Sequence, residues 1–122
     1  MAEDRDKLTE TIIGCAFKVS NTLGCGFLEK VYENALVIEI NKTGLKCEQQ
    51  KPIPVTYQGI NVGDYFADIL VDEQVILEIK ATKGIDDSHQ AQLLNYLKAT
   101  GIHRGLLLNF GTPKLGYKRM VF

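Results

Sequence analysis

Apolar residues recur at spacings of three and four in two stretches near the start of the chain. Leu8, Ile12 and Val19 belong to the first stretch, which predicts a helix over about residues 7–23. The second helix is predicted over about 28–43. Glycines at 24 and 44 follow the two stretches and mark their ends.

The apolar pattern then changes to alternation and short runs, which are typical of strands. Residues 45–57 look extended, and Pro52 and Pro54 suit an edge strand there. Two further strands are predicted over 60–71 and 75–82, joined at 72–74.

A third helix is predicted over about 87–100 and ends at Gly101. Asp87, with Gln90 three residues later, resembles a capping box at its start. Two closing strands follow over 104–110 and 116–122. The order α-α-β-β-β-α-β-β predicts an α/β (α+β) fold with one mixed sheet flanked by helices.

The composition indicates the general class of protein. The chain has 122 residues, 45% hydrophobic and 24% charged, which fits one globular domain over 1–122. No apolar run reaches the length of a membrane span, and the charged start "MAEDRDKLTE" does not read as a secretory signal. We therefore expect no membrane contact and, by default, a cytoplasmic location. Three widely spaced cysteines (Cys15, Cys25 and Cys47) favour buried or half-buried thiols over disulfides or a zinc site.

Charge is unevenly distributed, although the net charge is only −1. Residues 1–80 carry a net charge of −5, and residues 81–122 carry +4. A strong nonspecific nucleic-acid binder is usually basic throughout, so any phosphate contact has to come from a local patch. Lys83 and Arg104 lie in the basic C-terminal third, which is the candidate region.

Three charged residues stand out in the strand pair "DILVDEQVILEIKA", where burial makes charge costly. Strand alternation puts Glu78 and Lys80 on one face. Asp68 becomes the direct neighbour of Glu78 if paired positions sum to 146, which leaves a three-residue loop at 72–74. A two-residue loop would separate the two acids, so the chemistry depends on the register.

Two adjacent carboxylates suit a hard cation such as Mg²⁺ or Mn²⁺, and a lysine beside them suits stabilisation of a phosphoryl transition state. The spacing alone is equally typical of a salt-bridge ladder on the sheet surface. Both interpretations stay open at this point.

Two helices flank this pair with further polar residues. Glu29 shares a helical stripe with apolar residues, which predicts that it points toward packed structure, and Glu33 is its rival one turn later. Alternatively, Glu29 is an acid that complements the helix dipole. His89, Gln92 and Tyr96 lie on one face of the third helix, at the rim of its apolar stripe, whereas Gln90 is better explained by capping.

Four motifs in order carry a resemblance that covers about residues 8–121: "GFLEKVYENAL", "ILEIKA", "HQAQLLNYLKATG" and "GLLLNFG". The chain resembles the PD-(D/E)XK nuclease superfamily, and more narrowly the GxxExxY family within it. Gly26, Glu29 and Tyr32 match the motif that names this family. Gln92 and Tyr96 match the Q-x-x-x-Y signature of the RecB-like branch. Ala67 stands where many members have proline before the aspartate.

The resemblance implies a restriction-endonuclease-like αβββαβ core and a set of roles. Asp68, Glu78 and the carbonyl of Ile79 would be metal ligands, and Lys80 would be the catalytic lysine. Glu29 would be an additional acid near the metal.

The function predicted from this combination is hydrolysis of DNA, with RNA as the alternative, using Mg²⁺ or Mn²⁺. Gln92 is expected to orient Lys80, a water or a phosphate. Tyr96, His89, Lys83 and Arg104 are candidates for nucleic-acid contact, and a homodimer could supply further surface. The alternative is an inactive nucleic-acid-binding or protein-interaction module on the same fold.

Overall fold

The computed structural model describes the backbone of residues 2–122 and the side chains of residues 7–122. The expectation about a secretory signal concerns residues 1–10, of which residue 1 and the side chains of 2–6 lie outside the described residues. The helices and strands follow one another in the predicted order: α1 (Ala2–Leu23), α2 (Glu29–Lys42), β1 (Cys47–Tyr57), β2 (Ile60–Val71), β3 (Val75–Lys80), α3 (Asp87–Thr100), β4 (Arg104–Asn109) and β5 (Gly116–Val121). The predicted α+β fold is therefore confirmed.

The five strands form one mixed sheet in the order β1-β2-β3-β4-β5. Neighbouring strands are antiparallel except β3 and β4, which are parallel. Parallel neighbours need a crossover connection, and α3 provides it. Because of this crossover, α3 lies on one face of the sheet while α1 and α2 lie on the other.

Strand alternation divides the core into two clusters. Val75, Leu77 and Ile79 pack with α1 and α2. Ile76 packs with Leu93 and Leu97 of α3 on the opposite face. Since β3 is central and covered on both faces, Glu78 is buried, and Lys80, the last residue of the strand, is half-buried.

The turn between β2 and β3 has the three-residue form on which the register depends. Val71 pairs with Val75, and Ile69 pairs with Leu77, so paired positions sum to 146, which is the alternative that puts Asp68 beside Glu78. Asp72 and Glu73 adopt left-handed backbone angles, with φ of 50° and 56°. The Asp72 carboxylate accepts the Lys46 N–H at 2.8 Å, which fixes the turn against the residues before β1.

Several element boundaries differ from the prediction, most of them by one or two residues, whereas α1 begins at Ala2 rather than at about residue 7. Two of the differences lie close to the acidic strand pair. β3 ends at Lys80 instead of residue 82, because the Thr82 N–H donates to the side chain of Asn109 rather than to the backbone of a neighbouring strand. At the start of α3, the cap is Asp86 rather than Asp87. Its carboxylate accepts the His89 N–H at 3.0 Å, and the His89 ring accepts the Asp86 N–H at 3.2 Å. The expected role of Gln90 in the cap is therefore wrong, and His89 has it.

Cys15 and Cys47 are half-buried as expected, whereas Cys25 is exposed. Cys25 lies in the bend between α1 and α2, where little of the chain covers it. Among the described residues, no helix is both long and apolar enough to cross a membrane.

Candidate metal and nucleic-acid site

Asp68 and Glu78 meet where β2 separates from β3. The paired positions end at Ile69 and Leu77, so the next pair along, Asp68 and Glu78, leaves the backbone ladder. Side chains replace the missing bonds. The Asp68 N–H donates to Glu78 Oε2 at 2.9 Å, and the Ile79 N–H donates to Asp68 Oδ2 at 2.7 Å. This reciprocal exchange holds the two carboxyl groups side by side.

Burial disfavours the charged form of both acids. Glu78 is only 4% exposed, and desolvation, reinforced by the nearby Asp68, raises its pKa to about 8. Desolvation also raises the pKa of Asp68, against a lowering effect of the Ile79 hydrogen bond. A buried carboxyl group and a half-buried one thus lie side by side, and the surroundings disfavour the charged form of each.

Lys80 lies on the same face of β3, two residues beyond Glu78, and contacts α3. Its Nζ donates to Gln92 Oε1 at 3.0 Å, which holds the ammonium beside the acids. The buried Tyr96 is one turn further along α3. Burial raises its pKa, and the charges of Glu78 and Asp68 add to this, so its hydroxyl lies within their electrostatic reach.

Glu33, rather than Glu29, is the acid of α2 that faces this group. Glu29 is exposed, so the expectation that it points toward packed structure is wrong. Glu33 is 4% exposed, and its charge contributes to the raised pKa of both Asp68 and Glu78. The helical stripe identified the correct face. It could not show that the packing reaches Glu33 but stops short of the first residue of the helix.

Two glutamines of β1 connect Glu33 to the sheet, and the sequence patterns did not identify them. Gln49 Nε2 donates to Glu33 Oε2 at 2.7 Å. Gln50 Nε2 lies 3.1 Å from Glu33 Oε1 and 3.5 Å from Asp68 Oδ1, so its amide bridges the two acids. Gln50 has a left-handed backbone with φ of 52°, an uncommon conformation for a residue other than glycine. The sequence feature that could have identified them is the pair of adjacent glutamines in the predicted edge strand.

The remaining candidates for nucleic-acid contact are dispersed. His89 is committed to the α3 cap, and Lys83 is exposed in the loop after β3. Arg104 pairs with Val75 at the opposite end of β3 from Lys80. Five residues along a strand correspond to about 17 Å, so Arg104 does not belong to the acidic cluster.

The chemistry of this group fits a hard divalent cation. Asp68 and Glu78 each bond to backbone through one carboxylate oxygen and have a second oxygen. Desolvation is the main cause of their raised pKa values, and neighbouring carboxylates add to it; a cation would offset both effects. Among the described residues, no group of three or more His, Cys, Asp or Glu side chains has the geometry to hold a metal ion. Mg²⁺ usually needs only one or two carboxylates, with water and phosphate oxygens completing its shell.

Comparison with known proteins agrees with this geometry. Residues 6–120 match the PD-(D/E)XK nuclease superfamily. No curated protein matches the chain. Among solved structures, the crystal structure of SSO0001 is similar, with a TM-score of 0.55 and 18% sequence identity over 75% of this chain. The match covers 48% of SSO0001, so this chain spans about half the length of that protein, and the likeness concerns the fold alone.

A mixed sheet with an aspartate, a Glu-x-Lys pair and a crossover helix defines a nuclease-like class of protein. Since the superfamily match covers almost the whole sequence, the chain belongs to the PD-(D/E)XK nuclease superfamily.

Proposed function

We propose that this protein is a metal-dependent nuclease of the GxxExxY type that hydrolyses phosphodiester bonds in DNA. The observation that carries the proposal is the reciprocal bonding of Asp68 and Glu78 beside Lys80. A salt-bridge ladder on the sheet surface would not account for it, because Glu78 is buried and the Lys80 ammonium bonds to an amide rather than to a carboxylate.

Asp68, Glu78 and the Ile79 carbonyl would hold Mg²⁺ or Mn²⁺, with Glu33 as the third acid nearby. The cation, when bound, would polarise the phosphate and activate water. Lys80 would place its positive charge where the phosphoryl oxygens gain negative charge in the transition state. Gln92 would restrict Lys80 to that position, since its Oε1 accepts a hydrogen bond from the Lys80 ammonium.

The direct test is cleavage by the purified protein in Mg²⁺ or Mn²⁺. Linear, nicked, branched and single-stranded DNA are incubated beside single-stranded RNA, and products are resolved on denaturing gels. We expect Asp68→Ala and Lys80→Ala to lower the rate about 100-fold or more. Glu10→Gln, an exposed acid on α1, is the matched control and should cut like wild type.

If wild type and both site variants cleave equally, the activity does not come from this site and is due to a contaminant. If no substrate is cut while binding persists, the fold acts as an inactive binding module, and the catalytic proposal is overturned.

A further inference from the structure

A groove of about 670 Å³ runs between α3 and the outer part of the β1–β2 hairpin. Val55 and Tyr65 line it from the hairpin, and Gln92, Asn95, Tyr96 and Lys98 line it from α3. The volume lies within the range of small-molecule and cofactor sites. None of the roles assigned above uses the hairpin side of this groove.

Tyr65 gives the groove an aromatic wall. It is opposite Ile53, whose side chain packs with α3, so Tyr65 lies on the same face of the hairpin. Its ring is 5.9 Å from that of Tyr96, tilted by 49°. Tyr96 is buried, whereas Tyr65 is 49% exposed. Half of a large aromatic side chain is therefore accessible to a ligand that stacks on it.

The polar groups of the groove suit a nucleotide. Asn95 is exposed, with an amide that both donates and accepts hydrogen bonds. Among the described residues that line the groove, Lys98 is the only charged one. Its Nζ lies 5.8 Å from the Phe122 ring, which holds the positive charge near one end. A flat ligand with polar edges and negative charge complements this combination.

The groove leads to the acidic cluster. Gln92 and Tyr96 line it, and Gln92 contacts Lys80 at 3.0 Å. Because Glu78 is 4% exposed, a phosphodiester has to enter a recess to reach it. A single strand can follow the groove and place a base against Tyr65, whereas the base faces of a duplex are already stacked.

We propose that this groove binds single-stranded nucleic acid, with an unpaired base stacked on Tyr65 and its phosphates led toward Lys80. This inference rests on the proposed function, since it names the form of nucleic acid that reaches the same site.

Binding is measured by fluorescence anisotropy in EDTA, so that no cleavage occurs. The probes are a fluorescein-labelled single-stranded oligothymidylate and a labelled hairpin duplex. We expect wild type to bind the single strand more tightly than the duplex. Tyr65→Ala should weaken single-strand binding about tenfold, since base stacking on an aromatic side chain has this magnitude.

Tyr65→Phe keeps the ring and should bind like wild type. Tyr57→Ala is the matched control, because Tyr57 is 66% exposed on the same hairpin but does not line the groove. It should also bind like wild type. Circular dichroism of all variants establishes that each is folded.

The result that overturns the inference is equal single-strand binding by Tyr65→Ala and wild type, or binding of the duplex at least as tightly as the single strand. This outcome is separable from failure of the nuclease proposal. Loss of single-strand binding in Tyr65→Ala without cleavage of any substrate supports the groove and overturns catalysis. Cleavage of single strands at the wild-type rate by Tyr65→Ala supports catalysis and overturns the groove.

Discussion

The Glu78 carboxyl retains a proton in the folded state at pH values where it would lose it in the unfolded chain. Its ordinary pKa is 4.5, and burial beside Asp68 raises the folded value to about 8. The native state therefore binds more protons than the unfolded state between these two values. Stability contributed by this group falls as the pH rises from about 4.5 to 8, and the full penalty is present above 8.

Glu78→Gln should remove this penalty. In EDTA at pH 9 we expect the variant to have a free energy of unfolding a few kcal/mol above that of wild type, and near pH 5 the difference should be small. Urea denaturation across this pH range measures both. Glu10→Gln, at an exposed acid, should follow the wild-type curve. Parallel pH profiles for wild type and Glu78→Gln would show that Glu78 does not titrate as a buried acid.

Glu33 and Glu29 on α2 allow a direct comparison, because the structure places Glu33 near the acidic cluster whereas the family motif points to Glu29. Glu33 is buried and bridged to Asp68 through Gln50, whereas Glu29 is exposed. We expect Glu33→Gln to weaken Mn²⁺ binding and cleavage about tenfold or more, because the third negative charge is lost. Glu29→Gln should change both less than twofold. Isothermal titration with Mn²⁺ and the cleavage assay measure these effects. If Glu29→Gln has the larger effect on both, Glu29 rather than Glu33 is the acid that acts at the site.

At the scale of elements, the site depends on how the ends of β3 and β4 are joined. Asn109 is 2% exposed, and its side chain accepts the N–H groups of Thr82 and Gly111 and donates to the Thr82 carbonyl. These bonds end β3 directly after Lys80. Gly111 passes so close to the Thr82 backbone that an added Cβ would lie 2.3 Å from its N and O atoms.

Gly111→Ala should therefore destabilise the protein by about 2–4 kcal/mol, because backbone atoms rather than a flexible side chain have to move. Gly84→Ala, in the loop after β3 that also contains Thr82, is the control, since nothing lies within 4 Å of its added Cβ, and its effect should be within about 0.5 kcal/mol. Thermal and urea denaturation measure both. A Gly111→Ala variant as stable as Gly84→Ala would contradict this packing.

The sequence was sufficient to predict the order of elements and to reduce the register of β2 on β3 to two alternatives, of which the structure has the three-residue turn. Both follow from short-range patterns, namely the apolar period and a three-residue turn. The departure of Asp68 from the ladder was not predictable, since it depends on side chains of two strands replacing backbone bonds. The left-handed Gln50 was missed for a similar reason, because contacts with Glu33 and Asp68, distant in sequence, accompany its conformation. At the α3 cap, adjacent aspartates made the patterns ambiguous by one residue.

At the scale of the whole molecule, β3, the strand that carries Glu78, lies between two apolar cores. The α1–α2 cluster lies on one face of β3 and the α3 cluster lies on the other. Anything that relieves repulsion between Asp68 and Glu78 in the native state therefore stabilises the entire fold rather than a loop. A divalent cation has this effect if it binds the folded chain and not the unfolded one.

Mn²⁺ should raise the midpoint of thermal unfolding, and the increase should be larger at pH 8 than at pH 6. At a concentration 100 times the dissociation constant the gain is about 2.7 kcal/mol. The pH dependence arises because the proton retained by Glu78 has to leave before a cation takes its place, and this costs more free energy below its raised pKa. Asp68→Asn should abolish the gain at both pH values, while Glu10→Gln should retain it. A gain that persists in Asp68→Asn would place the bound cation elsewhere on the molecule, and the buried acids would then have no demonstrated ligand.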